Sequence, residues 1–244
     1  IALSSQSLSN YLGIIIFGLE KSPISSILLA LTTGIIITNM TKISEMFNLG
    51  ISFCIKYVLK MGIILMVIRM GLNEMISFGF KGFLIVTPTI ILTLLVVHKS
   101  RSYFKLSFNL ATLIAVGTSI CGATAIVATA PAINAKKEEI AYAIANISIF
   151  GIFAMMIYPF VAHYVFPENL VSAGIFLGAS IHETGQVAGA GMIYMDQYSS
   201  PKVFDVSTVT KLVRNTAMLV VIPYLSFNNA NSKIKNLPLG KRLY

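Results

Sequence analysis

The chain has few charged residues and no long stretch suited to water. Charged side chains make up 11% of its 244 residues, whereas hydrophobic side chains make up 56%. No hydrophilic segment is long enough to fold as a separate soluble domain, so residues 1-244 are expected to form a single transmembrane domain. The N-terminus also lacks the basic, apolar and small-residue order of a cleaved signal peptide. This composition excludes an ordinary soluble globular protein.

Cysteine is scarce as well. The only two, Cys54 and Cys121, both lie in apolar sequence. They indicate neither a disulfide framework nor a zinc site, and we expect no metal and no cofactor. The net charge of +9 is compatible with nucleic-acid binding, but the basic residues lie at predicted helix ends and in the tail. We therefore interpret the charge as a topology signal and expect no nucleic-acid partner.

Apolar runs recur along the whole chain, which is typical of an all-α polytopic membrane protein. About eight transmembrane helices are predicted, at residues 2–19, 24–39, 53–73, 82–97, 107–133, 140–162, 170–194 and 207–227. The basic loop from His98 to Lys105 and the basic tail, 228-244, are both predicted to lie in the cytoplasm, since positive loops stay on that side. We expect a multi-pass protein of the bacterial inner membrane.

The longest charge-free segment runs from Leu106 to Ala135. Its 30 residues would extend about 45 Å as a helix, against a hydrocarbon core of about 30 Å. Small and polar residues interrupt its centre: Gly117, Thr118, Ser119, Cys121 and Gly122. The segment therefore predicts a helix broken at the membrane midplane, with its freed backbone groups facing protein or water. Secondary transporters bind their substrates at such breaks.

Two further spans contain charged residues at depth. In the third span, Arg69 either reaches the interface and pairs with Glu74 or faces the bundle interior, and we favour the interior because an isolated intramembrane charge is costly. In the eighth span, a crossing that ends at Phe227 places Arg214 about 9 Å and Lys211 about 4.5 Å inside the outer edge. We expect Lys211 to reach the interface and Arg214 to face the interior.

The seventh span carries a polar cluster from Ser180 to Gln186 within an uncharged stretch. His182 and Gln186 are four residues apart and are predicted to share a helical face. One alternative is that His182 and Glu183 only hydrogen-bond neighbouring helices. We favour an ion or proton path, because adjacent ionisable residues at midplane usually mark one. A zinc protease is excluded, since Gln186 stands where the second histidine of that motif belongs.

A weak internal repeat relates the two unusual spans. Residues 117–120 read Gly-Thr-Ser-Ile, and residues 178–181, which lie 61 positions later, read Gly-Ala-Ser-Ile. Both copies fall in mid-span, as the paired interrupted helices of repeat-built transporters do. A half-helix N-terminus directs a partial positive charge at an anion, so each break is a predicted anion contact.

The chain resembles the YeiH-type family of bacterial inner-membrane proteins, which are described as sulfate exporters. The matching blocks are Gly117 to Ala125, Ala130-Pro131, Glu138 to Ala145, Gly178 to Val187, Val209 to Arg214, and Gly62 to Arg69. The resemblance implies a fold of the bile-acid-symporter and sodium-proton-antiporter kind, with inverted repeats and crossing broken helices. This chain differs in having Glu183 where the family usually has Asp. It also ends at Tyr244, about three helices before the family's usual end, as a fragment or a shortened relative would.

From these features we predict a secondary transporter, not an enzyme, that carries a small anion such as sulfate across the bilayer with a proton or sodium ion as coupling ion. The residues predicted to bind substrate are Arg69, Ser119, Cys121, Gly122, Ser180, Gln186 and Arg214. His182 and Glu183 are predicted to couple transport to the ion, and a homo-oligomer is compatible with this function. The alternatives are a membrane-embedded enzyme, with Cys121 or Ser119 as nucleophile and His182 as base, and an uncoupled channel-like protein.

Overall fold

The computed structural model describes residues 26–40, 45–58, 61–62, 64–65 and 71–235, together with positions 7 and 11. The described residues before position 71 include two short helices. They are α1 (Ser26–Met40) and α2 (Glu45–Phe53), and α2 leads into a π-helical turn at Cys54–Val58. Arg69 and most of the predicted span 2–19 lie outside the described residues.

Residues 71–235 contain eight α-helices, which together with α1 and α2 form an all-helical chain over the described residues. They are α3 (Leu72–Ser100), α4 (Phe108–Val116), α5 (Gly122–Ile133), α6 (Lys137–Val165), α7 (Leu170–Ser180), α8 (Thr184–Tyr198), α9 (Pro201–Thr216) and α10 (Met218–Lys235). Three stretches are long and apolar enough to cross a membrane, namely α3, the combined α4 and α5, and α6. The predicted all-α membrane protein is confirmed at this level.

The three long apolar stretches occupy different positions in the bundle. They differ in how much of their most apolar part is buried. In that part, 67% of the residues are buried for Phe108–Ile133, 17% for α3 and 28% for α6. Helices α3 and α6 expose large apolar side chains: Phe83, Leu92, Leu95, Phe150 and Phe153. Such faces suit lipid, because hydrocarbon solvates apolar side chains without penalty. The broken stretch is therefore interior, and α3 and α6 lie at the periphery.

Helix α9 lies at the centre and packs against α3, α7 and α8. Glycines on the neighbouring helices allow its close approach. A Cβ at Gly174 would lie 2.6 Å from the Val206 Cβ, and a Cβ at Gly191 would lie 2.9 Å from Ser207 Oγ. Small residues let helix backbones approach in a membrane bundle. The polar helix α9 is thereby buried among α7, α8 and α3 and removed from lipid.

The predicted eighth span, 207–227, is not one helix. Helix α9 ends at Thr216 and α10 begins at Met218, with the Ala217 N–H shared between the carbonyls of Arg214 and Asn215. Helix α10 then continues to Lys235, so the first residues of the predicted tail are helical. The hydropathy pattern does not separate the two helices. The polar residues of α9 face protein, so they do not mark where a lipid-facing span begins or ends.

Candidate functional site: two interrupted helices around two buried cations

The first interruption lies between α4 and α5, where it was predicted. Residues Gly117–Cys121 form a π-helical turn, and the Gly122 N–H donates to the carbonyl of Gly117. Cys121 has φ −143° and ψ 44°, and Gly122 has φ 52° and ψ −132°. Only glycine adopts this second conformation readily, because it has no Cβ. The predicted break in the helix is confirmed, and Gly122 is the residue that permits it, whereas its position at the membrane midplane stays a prediction.

The second interruption lies at residues 181–183, between α7 and α8. Ile181 and Glu183 have extended backbones, with ψ values of 139° and 145°. The prediction that His182 shares a helical face with Gln186 is therefore wrong, because His182 is not in a helix. The Glu183 N–H donates to Gln186 Oε1 at 3.3 Å, which is one half of a capping box at the start of α8.

Lys211 on α9 binds both interruptions. Its ammonium donates to the carbonyl oxygens of Ile120 at 2.9 Å and Ile181 at 3.0 Å, and also to that of His182. An ammonium has three N–H groups, which matches the number of carbonyl oxygens around Nζ. The side chain is 0% exposed. The expectation that Lys211 reaches the interface is wrong, because the carbonyls freed by the two breaks solvate it in the interior.

Arg214, one helical turn later, binds the same two breaks. Its Nε donates to Ser119 O at 2.7 Å, and its Nη1 donates to Ala179 O at 2.7 Å and to Ile181 O at 3.0 Å. Its Nη2 donates to Thr118 O. The side chain is 3% exposed, which confirms the predicted interior position. Four of its five N–H groups are used by backbone carbonyls.

The weak sequence repeat corresponds to two equivalent sets of carbonyls. Thr118 and Ala179 occupy matching positions, and both carbonyls accept from Arg214. Ile120 and Ile181 also match, and both accept from Lys211. The last carbonyls of a helix have no N–H partner and carry a partial negative charge. The two cations therefore neutralise the C-terminal ends of the first halves of the two interrupted helices, which are α4 and α7.

The N-terminal ends of the second half-helices, α5 and α8, also meet. A Cβ at Gly122 would lie 2.6 Å from Glu183 Cγ, so the Glu183 side chain lies against the first residue of α5. Cys121 Sγ is 3.5 Å from Thr184 Oγ1, and Asn215 Nδ2 donates to the same hydroxyl at 3.2 Å. Side chains from α9, α8 and the π-helical turn thus converge beside the N-termini of α5 and α8.

Two buried polar atoms beside this point have no hydrogen-bond partner within the described part of the chain. They are Asn215 Oδ1 and His182 Nδ1. Buried polar atoms are usually satisfied, so each indicates a place where water or a ligand binds. No group of three His, Cys, Asp or Glu side chains among the described residues is placed to hold a metal ion.

Like Arg214, the predicted binding residues Ser119, Ser180 and Gln186 direct their side-chain hydrogen bonds at protein. The hydroxyls of Ser119 and Ser180 each donate to a carbonyl of the preceding turn. Gln186 Nε2 donates to Ser148 O at 3.4 Å, and a Cβ at Gly151 would overlap Gln186 Oε1. Gln186 therefore joins α8 to α6. The substrate-binding role of all three stays a prediction.

The role of Lys211 and the places of Thr184 and Asn215 in the site were not predicted from the sequence. A signal for Lys211 was present, because Lys211 and Arg214 are three residues apart and share a helix face. Two cations on one intramembrane face need acceptors. The chain contains few acidic side chains to provide them, with nine Asp and Glu in total. Backbone carbonyls at the predicted breaks were therefore the remaining hydrogen-bond acceptors for the two cations.

A family model described as "Conserved hypothetical protein 698" matches residues 3–240. A UPF0324 membrane protein of Streptococcus agalactiae serotype V is 33% identical over 211 residues, which cover 86% of this chain and 62% of the relative. One from Streptococcus pyogenes serotype M6 is 32% identical, with 91% and 64% covered, and one from Fusobacterium nucleatum is 31% identical, with 92% and 64% covered.

The chain thus spans less than two thirds of the length of these relatives. No solved structure matches it. The predicted membership of a bacterial membrane-protein family is confirmed, whereas the sulfate-exporter function stays a prediction. The chain belongs to the Conserved hypothetical protein 698 family, the UPF0324 membrane proteins, and is a bacterial membrane protein with several helical spans.

Proposed function

We propose that this chain forms the substrate-binding part of a secondary transporter for a small anion. The observation that carries the proposal is the meeting of two interrupted helices around the buried cations Lys211 and Arg214. Interrupted helices leave backbone groups unsatisfied in hydrocarbon and are tolerated only where protein or an aqueous cavity satisfies them. Transporters use such helix ends to bind substrates and coupling ions near midplane.

The balance of charge at the interruptions favours an anion. Lys211 and Arg214 contribute two positive charges, and Glu183 contributes one negative charge when it is ionised. The N-termini of α5 and α8 add partial positive charge beside Gly122 and Thr184. Lys211 and Arg214 are buried, and charges away from water act more strongly than charges at a surface. An anion that binds here compensates the remaining positive charge.

The proposed role of Arg214 differs from the direct contact predicted from the sequence, whereas contacts at the helix breaks were predicted. Arg214 uses four N–H groups on carbonyls, so its guanidinium attracts the anion through its charge and does not grip it with two parallel hydrogen bonds. Direct hydrogen bonds come from the first turns of α5 and α8, where backbone N–H groups lack helical partners. The hydroxyl of Thr184 and the thiol of Cys121 lie beside these N–H groups.

The test is anion flux into proteoliposomes that contain the purified chain. Radiolabelled sulfate and a panel of unlabelled competing oxyanions are supplied with and without proton and sodium gradients. We expect saturable uptake that one of the gradients accelerates. Uptake that neither gradient accelerates would favour an uncoupled channel-like protein. Absence of flux for every anion would reject transport. Chemical conversion of a supplied anion without flux would favour a membrane-embedded enzyme.

A matched pair of variants tests the proposed place of binding. Thr184→Val removes a hydroxyl beside the N-terminus of α8 and keeps the side-chain shape. Loss of a hydrogen bond to a charged ligand, about 1.5 to 3 kcal/mol, weakens apparent affinity by roughly tenfold or more. Thr89→Val makes the same change on the exposed face of α3, where the hydroxyl bonds only the Ile85 carbonyl at 2.7 Å, and should leave affinity unchanged. Equal affinities in both variants would place the site elsewhere.

A further inference from the structure

Glu183 occupies the place where the proposed anion would bind. It is the residue that immediately precedes α8, and its side chain lies on Gly122, the first residue of α5. A Cβ at Gly122 would lie 2.6 Å from Glu183 Cγ and 3.2 Å from its Oε1. One carboxylate thus lies at the N-terminal ends of both second half-helices.

A carboxylate and an oxyanion substrate make the same interactions with a helix N-terminus. Both accept hydrogen bonds from the N–H groups of the first turn, and both compensate the positive end of the helix dipole. Two anions in contact at such a site repel each other. An ionised Glu183 and a bound anion therefore exclude one another.

The groups around Glu183 set the charge of the site. Lys211 and Arg214 approach from α9, Cys121 approaches from the π-helical turn, and His182 is adjacent in sequence. Helix α1 also packs on α8 and contains no ionisable residue. Counting Lys211, Arg214 and Glu183 alone, the site carries one net positive charge when Glu183 is ionised. It carries two when Glu183 is protonated, which matches a divalent oxyanion.

We propose that the Glu183 carboxylate is an internal anion that holds the substrate site in the empty protein, and that its protonation admits an oxyanion. The inference rests on the proposed anion transport. A proton from the aqueous phase binds a Glu183 carboxyl oxygen on one side of the membrane, and the same proton leaves after the anion is released on the other side. One proton thus moves with each anion in the same direction.

The first experiment measures binding of radiolabelled sulfate to the purified chain between about pH 5 and pH 8. Affinity should rise by about tenfold for each unit of falling pH, because one proton is taken up with each anion. Glu183→Gln is permanently uncharged, so its affinity should be independent of pH and at least as high as that of the wild type at pH 5. Glu183→Asp should keep the pH dependence. Glu138→Gln, which removes an exposed carboxylate from α6, should behave as the wild type.

The second experiment records internal pH in proteoliposomes while sulfate enters. The wild-type chain should acidify the lumen as sulfate accumulates, and Glu183→Gln should carry sulfate without acidification. Wild-type binding that is independent of pH would overturn the internal-anion role and leave anion transport standing. Loss of sulfate binding in a folded Glu183→Gln protein would overturn it too, because the carboxylate would then be needed for binding. Absence of binding and of flux in the wild type at every pH would reject both proposals.

Discussion

Replacing Lys211 by Met should lower the unfolding temperature of this protein substantially. The ammonium bonds three carbonyl oxygens. In the Lys211→Met variant the carbonyl of Ile181 still accepts a hydrogen bond from Arg214. The carbonyls of Ile120 and His182 lose the hydrogen bond that Lys211 donates. A buried carbonyl without a partner costs about 1 to 3 kcal/mol, so two cost about 2 to 6 kcal/mol together.

The size of Met makes this a test of hydrogen bonding. Met fills nearly the volume of the lysine stem, so a cavity contributes little to the loss. We expect a net loss of about 3 kcal/mol, because removing the buried charge recovers part of its desolvation penalty. At roughly 2 to 4 °C for each kcal/mol in a chain of this length, the midpoint falls by roughly 6 to 12 °C.

The native cysteines provide the assay. Cys121 is 4% exposed and lies at the first interruption, so a thiol-reactive fluorescent dye reports the opening of the site itself. Cys54 is exposed and is replaced by Ser in every protein compared. The matched control is Lys202→Met on the same helix, where the ammonium lies 6.0 Å from the centre of the Phe78 ring. An exposed contact of this kind contributes about 0.5 to 1 kcal/mol.

Two outcomes would refute the argument. Midpoints of Lys211→Met and Lys202→Met within about 2 °C of each other would show a difference below about 1 kcal/mol. The carbonyls of the interruptions would then be satisfied without Lys211. A higher midpoint for Lys211→Met than for the unsubstituted protein would show that burying this charge is a net cost.

Three further predictions concern the helix contacts and the topology. Gly122→Ala should lose about 1 to 3 kcal/mol by the same thermal assay, since its φ of 52° and ψ of −132° strain any residue with a Cβ; an unchanged midpoint would contradict this. Gly151→Ala should lower the stability of the fold, because its Cβ overlaps Gln186. Adding Gln186→Ala should restore part of the lost stability, whereas additive losses would mean that the two residues do not interact. Cysteines introduced at Ser102 and Ser232 in a cysteine-free background should be labelled only from the cytoplasm; labelling from opposite faces would show that spans were miscounted.

The sequence by itself determined that the chain is helical, that it spans a membrane, and where the helix that contains Gly117 is interrupted. The segment around Gly117 exceeds the thickness of a bilayer and has small polar residues at its centre, so length and composition sufficed. The interior position of Arg214 also followed, because its depth leaves little room to reach the interface. Each of these properties depends on local sequence alone.

Only the tertiary structure decided what the buried cations bind. The partners of Lys211 and Arg214 are backbone carbonyls 29 to 96 residues away. Every residue has a carbonyl, so such an acceptor has no signature in the sequence, and it becomes available only where a helix ends. The separation of α9 from α10 and the non-helical backbone at His182 depend on the same packing. Local patterns located the interruptions, and long-range contacts determined which charges stabilise them.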